Sequence, residues 1–166
     1  MFSLKTIAWN SDRKVFVSPS HTEYSWKPGI NWAICEKCAP NGKIGLDCTC
    51  GVYHSPNPEA LEEYEFHKTS IIALVKMYVV YDIWDGPCNL SWTYPTRSDG
   101  IRVIGILGSG SLVSKGFLKG TRGITEGLAL EKFHVSLYPW STVRQWIQIK
   151  WLEYFQIDPY TDRRAK

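Results

Sequence analysis

No apolar stretch in this sequence reaches the length of a membrane span. The longest, Ile71 to Val80, has ten residues and is interrupted by Lys76, whereas a spanning helix needs about 20. Nor is a secretory leader expected: Met1-Phe2-Ser3-Leu4 has no basic start, and the next apolar run breaks at Asn10-Ser11-Asp12. These absences predict a cytoplasmic protein with no membrane partner. The strings that announce common chemistries are missing too. There is no Gly-x-Ser-x-Gly elbow and no His-Glu-x-x-His among His21, His54, His67 and His134. Leu107-Gly108-Ser109-Gly110-Ser111-Leu112 is glycine-rich, but it lacks the third glycine of a dinucleotide fingerprint, and no Gly-Lys-Ser/Thr occurs. A zinc deaminase would need His-x-Glu upstream of Pro-Cys-x-x-Cys, and no Pro-Cys-x-x-Cys occurs. The expectation is a non-enzymatic protein; an enzyme with an unrecognised site is the lesser alternative.

What is present fits one globular domain spanning residues 1–166. The chain is 44% hydrophobic and 21% charged, ordinary values that argue against disorder. Aromatic residues are abundant, with 8 Trp and 9 Tyr. They favour strands and cores, and where exposed they stack on partners or anchor interfaces. The net charge of +3 is too small to mark a nucleic-acid binder by itself. Its distribution is uneven. Glu59, Glu62, Glu63 and Glu65 form an acidic cluster. Between Ile101 and Gly123 the charged residues are Arg102, Lys115, Lys119 and Arg122, without an acid, and the C-terminal tail carries Arg163, Arg164 and Lys166.

Local patterns predict an α+β fold with a mostly antiparallel sheet. Leu4–Trp9 and Val15–Val17 flank a turn and read as a hairpin. His21–Gly29 reads as a loop, and Ile30–Ile34 as a short strand. Asn57-Pro58 suits the start of a short acidic helix over Glu59–Phe66. Ser70–Ile83 is the strongest strand signal. Leu90–Tyr94 and Ile101–Leu107 follow as strands, the second reached through a link at Arg97-Ser98-Asp99-Gly100. Residues 112–131 are ambiguous, with a glycine-broken helix as one reading. Lys132–Tyr138 alternates and reads as a strand. A C-terminal amphipathic helix should start at a Ser141 or Thr142 cap. It would run to Ile157, with Val143, Trp146, Ile147, Trp151, Leu152 and Phe155 on one face and Arg144, Gln145 and Gln148 in water.

The most specific feature is a cysteine constellation. Cys35-Glu-Lys-Cys38 is followed, after nine intervening residues, by Cys48-Thr-Cys50-Gly51. Four thiolates can fill the tetrahedral shell of one zinc ion, and a filled shell is structural rather than catalytic. Cys48 and Cys50 would have to sit on a bend, since alternate residues of a flat strand point apart, and Gly51 permits one. A small buried cysteine cluster and a Cys-x-x-Cys redox pair are the competing readings. His54 could substitute for Cys48 or Cys50, which gives a zinc-stapled segment over residues 35–54. Cys88 stands alone and reads as a core residue.

Trp26-Lys-Pro-Gly29, Ala33, Cys35, Cys38-Ala39-Pro40 and Cys48-Thr-Cys50-Gly51-Val52-Tyr53 together resemble a group of small bacterial proteins of unknown function. Those share a Trp–Gly turn, a cysteine, a His-x-x-Pro-like element and Cys-x-Cys-Gly-Ile-Tyr-Ala. Cys38 would take the place of the group's histidine, which keeps a zinc ligand. Gly100-Ile101-Arg102-Val103 is similar to a later strand of the group. His54 stands where the group has alanine, and Ile71–Val80 lacks its glycine. The resemblance implies a fold and a metal site, and no mechanism.

Two functions follow. The first is binding to nucleic acid or a nucleoprotein complex through Arg102, Lys115, Lys119, Arg122, Arg163 and Arg164, with Trp92, Tyr94, Trp140 and Tyr160 available to stack bases. The second is a protein-interaction regulator or inhibitor, of phage or mobile-element type, that uses an aromatic surface.

Overall fold

β6 (Ser70–Tyr81) is the centre of the molecule. Its residues Ile71, Ile72, Ala73, Leu74 and Val75 are all buried, on both faces. A strand covered on both faces reads as a continuous apolar run rather than an alternation, which accounts for the strong sequence signal. The computed structural model describes residues 1–19, 21–34, 51–58, 61, 69–81, 96–108 and 122–155. Around β6 it places β1 (Phe2–Asn10), β2 (Val15–Ser18), β3 (His21–Trp26), β4 (Ile30–Trp32), β5 (Val52–His54), β7 (Thr96–Leu107) and β8 (Ser136–Tyr138). The sheet order is β3-β2-β1-β6-β7-β4, with β5 and β8 also pairing with β7. All pairings are antiparallel except β7 with β8. The α+β class with a mostly antiparallel open sheet is therefore as expected.

Two helices cover the sheet, one on each face. α1 (Arg122–Phe133) puts Ala129 and Phe133 against Ile7, Phe16, Ile71, Ala73, Val75, Ile101 and Val103. α2 (Trp140–Phe155) puts Val143, Ile147 and Trp151 against Leu4, Ile72, Leu74 and Leu107 on the other face. The Trp151 indole N–H donates to the Phe2 carbonyl at 3.0 Å and ties α2 to the first strand. Among the described residues, no helix is long and apolar enough to cross a membrane.

β7 organises the opposite edge. β6 runs along one side of it. The other side carries β8 at Gly105–Leu107, β4 at Gly100–Arg102 and β5 at Thr96–Ser98. β4 and β5 run in the same direction and in successive register. Trp32 pairs with Gly100, the Ala33 N–H donates to the Asp99 carbonyl at 2.7 Å, and Val52 pairs with Ser98. They form one edge strand, interrupted between Ala33 and Val52. One residue beyond β5, Ser55 exchanges two backbone hydrogen bonds with Leu4 of β1.

Several expectations need correction. His21–Trp26 is a strand, not a loop, because it pairs with β2 and buries Trp26 against the core. Arg97–Gly100 is not a link. Its backbone is paired on both sides, so turn-prone residues are held in an extended ladder. Lys132–Tyr138 is not one strand, since Phe133 ends α1 and only Ser136–Tyr138 is extended. α2 begins at Trp140 without a Ser141 or Thr142 cap; the Pro139 carbonyl accepts from the N–H groups of Thr142 and Val143. Leu152 lies outside the buried face of α2, at 44% exposure. Pro58 and Leu61 are helical, while the rest of the acidic helix, the strand at Leu90–Tyr94 and Cys88 lie outside the described residues.

Candidate nucleic-acid interface

α2 covers Ile72 and Leu74 of β6 but not the next two residues on that face. Lys76 is exposed and Tyr78 is half-buried. Their partners on β7 and β4 are fixed by register. Lys76 pairs with Arg102, which pairs with Ile30; Tyr78 pairs with Gly100, which pairs with Trp32. Directly opposed residues of a sheet project from the same face. The uncovered face therefore carries two rows, Ile30–Arg102–Lys76 and Trp32–Gly100–Tyr78.

The second row is shaped by its missing side chain. A Cβ on Gly100 would meet the six-membered ring of Trp32 at 2.7 Å. The indole thus lies over the strand in the space that glycine leaves, and it reaches Tyr78 with a ring-centroid separation of 6.1 Å and a 55° tilt. Trp32 remains 51% exposed. The Lys76 ammonium stands 5.7 Å from the Tyr78 ring centroid, a cation–π distance. Arg102 is exposed beside it, and neither row contains an acid. The Met1 α-amine has a lowered pKa, first through burial and then through Lys76 and Lys150. Lys150 of α2 therefore adds its charge to the same region, partly offset by its ion pair with Glu153.

Of the expected nucleic-acid-binding residues, Arg102 is on this face. Arg122 opens α1, which packs against the opposite face. Lys115, Lys119, Arg163 and Arg164 lie outside the described residues, as do Trp92, Tyr94 and Tyr160. Trp140 is half-buried against the α2-side core rather than displayed. Sequence reasoning missed Trp32, Tyr78 and Lys76 as a group. Period-two spacing puts Lys76 and Tyr78 on one face, but nothing local pairs them with Gly100 and Trp32.

A second polar group lies inside the fold. The Ser3 hydroxyl and the His54 Nδ1 are 3.1 Å apart, and both residues are buried. Lys5, two residues along β1 from Ser3, is half-buried with its ammonium 6.0 Å from the Trp26 ring centroid. Burial pushes the Lys5 pKa down to about 8. Burial, and then the nearby Lys5 charge, pushes His54 down to about 3, so its imidazole is neutral at physiological pH. With Ser3 at 0% and His54 at 2% exposure, the contact lies inside the fold and links β5 to β1.

The four cysteines lie outside the described residues. Among the described residues, no group of three or more His, Cys, Asp and Glu is placed to hold a metal ion. No family model, curated protein or solved structure matches the chain.

Proposed function

We propose that this chain is a zinc-stabilised binding protein that contacts nucleic acid, alone or within a nucleoprotein complex, through the part of the sheet that α2 leaves open. The observation that carries this reading is the pairing of Arg102 with Lys76, both exposed, on a face with no acid in either row. Phosphates approaching that face meet two cations side by side, with Lys150 at its margin. Each cation that neutralises a phosphate releases a counterion, so three contacts give a log–log salt slope of about −2 on a single strand. Affinity should then fall about 20-fold between roughly 50 and 200 mM salt.

The test is fluorescence anisotropy of a labelled oligonucleotide with the unmodified protein and with the double variant K76S/R102S. The unmodified protein should bind at low salt and follow that slope, and the double variant should bind more weakly with a shallower one. Equal affinities would move the function to the solvent side of α2, where Ile149, Leu152 and Tyr154 are exposed, and to a protein partner whose affinity salt barely changes.

Zinc belongs to the same proposal. The segment holding Cys35, Cys38, Cys48 and Cys50 leaves the sheet at Ala33, beside Asp99, and returns at Val52, beside Ser98. The sheet itself thus closes the loop, and a metal gathering thiolates from its two ends meets little further closure entropy. Gly51 has φ of 135°, a conformation that side-chain-bearing residues rarely adopt, which supports the expected bend after Cys50.

A further inference from the structure

Resting on that electrostatic reading, we infer that the ligand is a single strand rather than a duplex, and that its bases stack on the shelf formed by Trp32 and Tyr78. One exposed tryptophan is unremarkable on a protein surface. Here the ring has a bed. Gly100 sits in the middle of the row, so the indole lies over the strand instead of standing off it. The contact with Tyr78 is tilted at 55°, so the two rings form a bent shelf without a slot between them. Bases can therefore lie on top of the rings and cannot wedge between them. Such a surface needs free base faces. A duplex hides them inside its stack and offers only backbone to a flat sheet, whereas single strands present them to aromatic side chains.

The charges match this arrangement. Lys76 stands beside the Tyr78 ring, and Arg102 lies next to Lys76 in the neighbouring row. Both cations are thus one row away from the aromatic pair. A strand laid across the face can put bases on the rings and phosphates on Lys76 and Arg102 together. Stacking on aromatics is tolerant of base identity, so the specificity expected is for single-strandedness rather than for sequence.

The experiment compares an oligothymidylate and an oligouridylate of about 12 nucleotides, within the usual site size, against a mixed-sequence duplex of the same length at low salt. Three proteins are used besides the unmodified one. W32L removes the indole from an exposed position and leaves the core intact. G100A keeps every charge but puts a methyl group where the indole lies. K76S/R102S removes the charge. The single strands should bind more tightly than the duplex. W32L should lower single-strand affinity roughly tenfold, the loss of one stacked base, and leave duplex affinity unchanged. G100A should shift single-strand affinity in the same direction. Unchanged single-strand affinity in W32L and G100A, with a loss in K76S/R102S, would overturn the stacking inference and leave the electrostatic reading standing. Equal affinity for duplex and single strand would do the same. No binding of any oligonucleotide by the unmodified protein at low salt would overturn both.

Discussion

A lysine on the inner face of β1 carries an energetic penalty that its sequence position does not announce. Lys5 shares a face with Ile7, a core residue, and its ammonium lies 6.0 Å from the Trp26 ring centroid. Its pKa of about 8 lies below the ordinary 10.5, so the folded protein holds the Lys5 proton less tightly than the unfolded chain. Between those two values the unfolded chain binds more protons, and stability contributed by this group rises with pH. Below about pH 8 both states are protonated and the full penalty applies. Lys5→Met keeps the length of the side chain and removes the charge. We expect it to stabilise the protein at neutral pH by about 1–3 kcal/mol. It should also flatten the rise in stability between pH 8 and 10.5, as read by urea denaturation across that range. A variant no more stable than the parent at pH 7 would show that the ammonium is well solvated. At this scale the sequence was a poor guide. Alternation can assign Lys5 to a face, but long-range packing decides whether that face is wet, and the same holds for Trp32.

Elements were legible where one local signal dominated and misread where pairing overrode it. The spacing of Val143, Ile147 and Trp151 marked the buried side of α2, and all three are fully buried. Leu152 follows the same apolar pattern but rotates past the contact and stays exposed, because a helix lying on a sheet buries a narrower stripe than its apolar residues cover. The two neighbours make a direct comparison. Trp151→Ala removes a core side chain and its bond to the Phe2 carbonyl, and should cost about 3–5 kcal/mol. Leu152→Ala should change stability by about 0.5 kcal/mol or less. Similar denaturation midpoints for the two would place the helix face wrongly. Arg97-Ser98-Asp99-Gly100 shows the opposite case. Serine, aspartate and glycine favour turns because they offer the backbone local hydrogen bonds or positive φ. Here β5 and β6 satisfy the backbone from both sides, and the local preference loses. Only with that strand straight do Gly100 and Arg102 fall in register with Trp32 and Lys76.

Over the whole molecule, the place of the proposed zinc segment in the architecture was not legible. The cysteine spacing suggests four thiolates around one ion, but no local signal reveals that the chain between Ala33 and Val52 interrupts one edge strand beside β7. That position would put a zinc ion at the margin of the sheet. Among the described residues, the clusters beneath α1 and α2 are built from β1, β2, β3, β6, β7 and the helices, with Val52 and Leu61. We therefore expect about one zinc per chain, and expect its removal by a strong chelator to leave the far-ultraviolet dichroism of the sheet and helices largely in place. The effect should appear nearer the insertion. Trp32 is the last residue of β4, directly before the segment leaves the sheet. Freeing the segment loosens the end of β4 and, with it, the bed on which the indole lies. Chelated protein should thus bind single-stranded oligonucleotide more weakly, as W32L does, while keeping most of the salt dependence that Arg102 and Lys76 confer. Metal analysis, dichroism and anisotropy on one preparation decide the matter. Global unfolding on chelation would show that the core depends on the staple, and a folded, metal-free protein with undiminished affinity would show that the shelf stands without it.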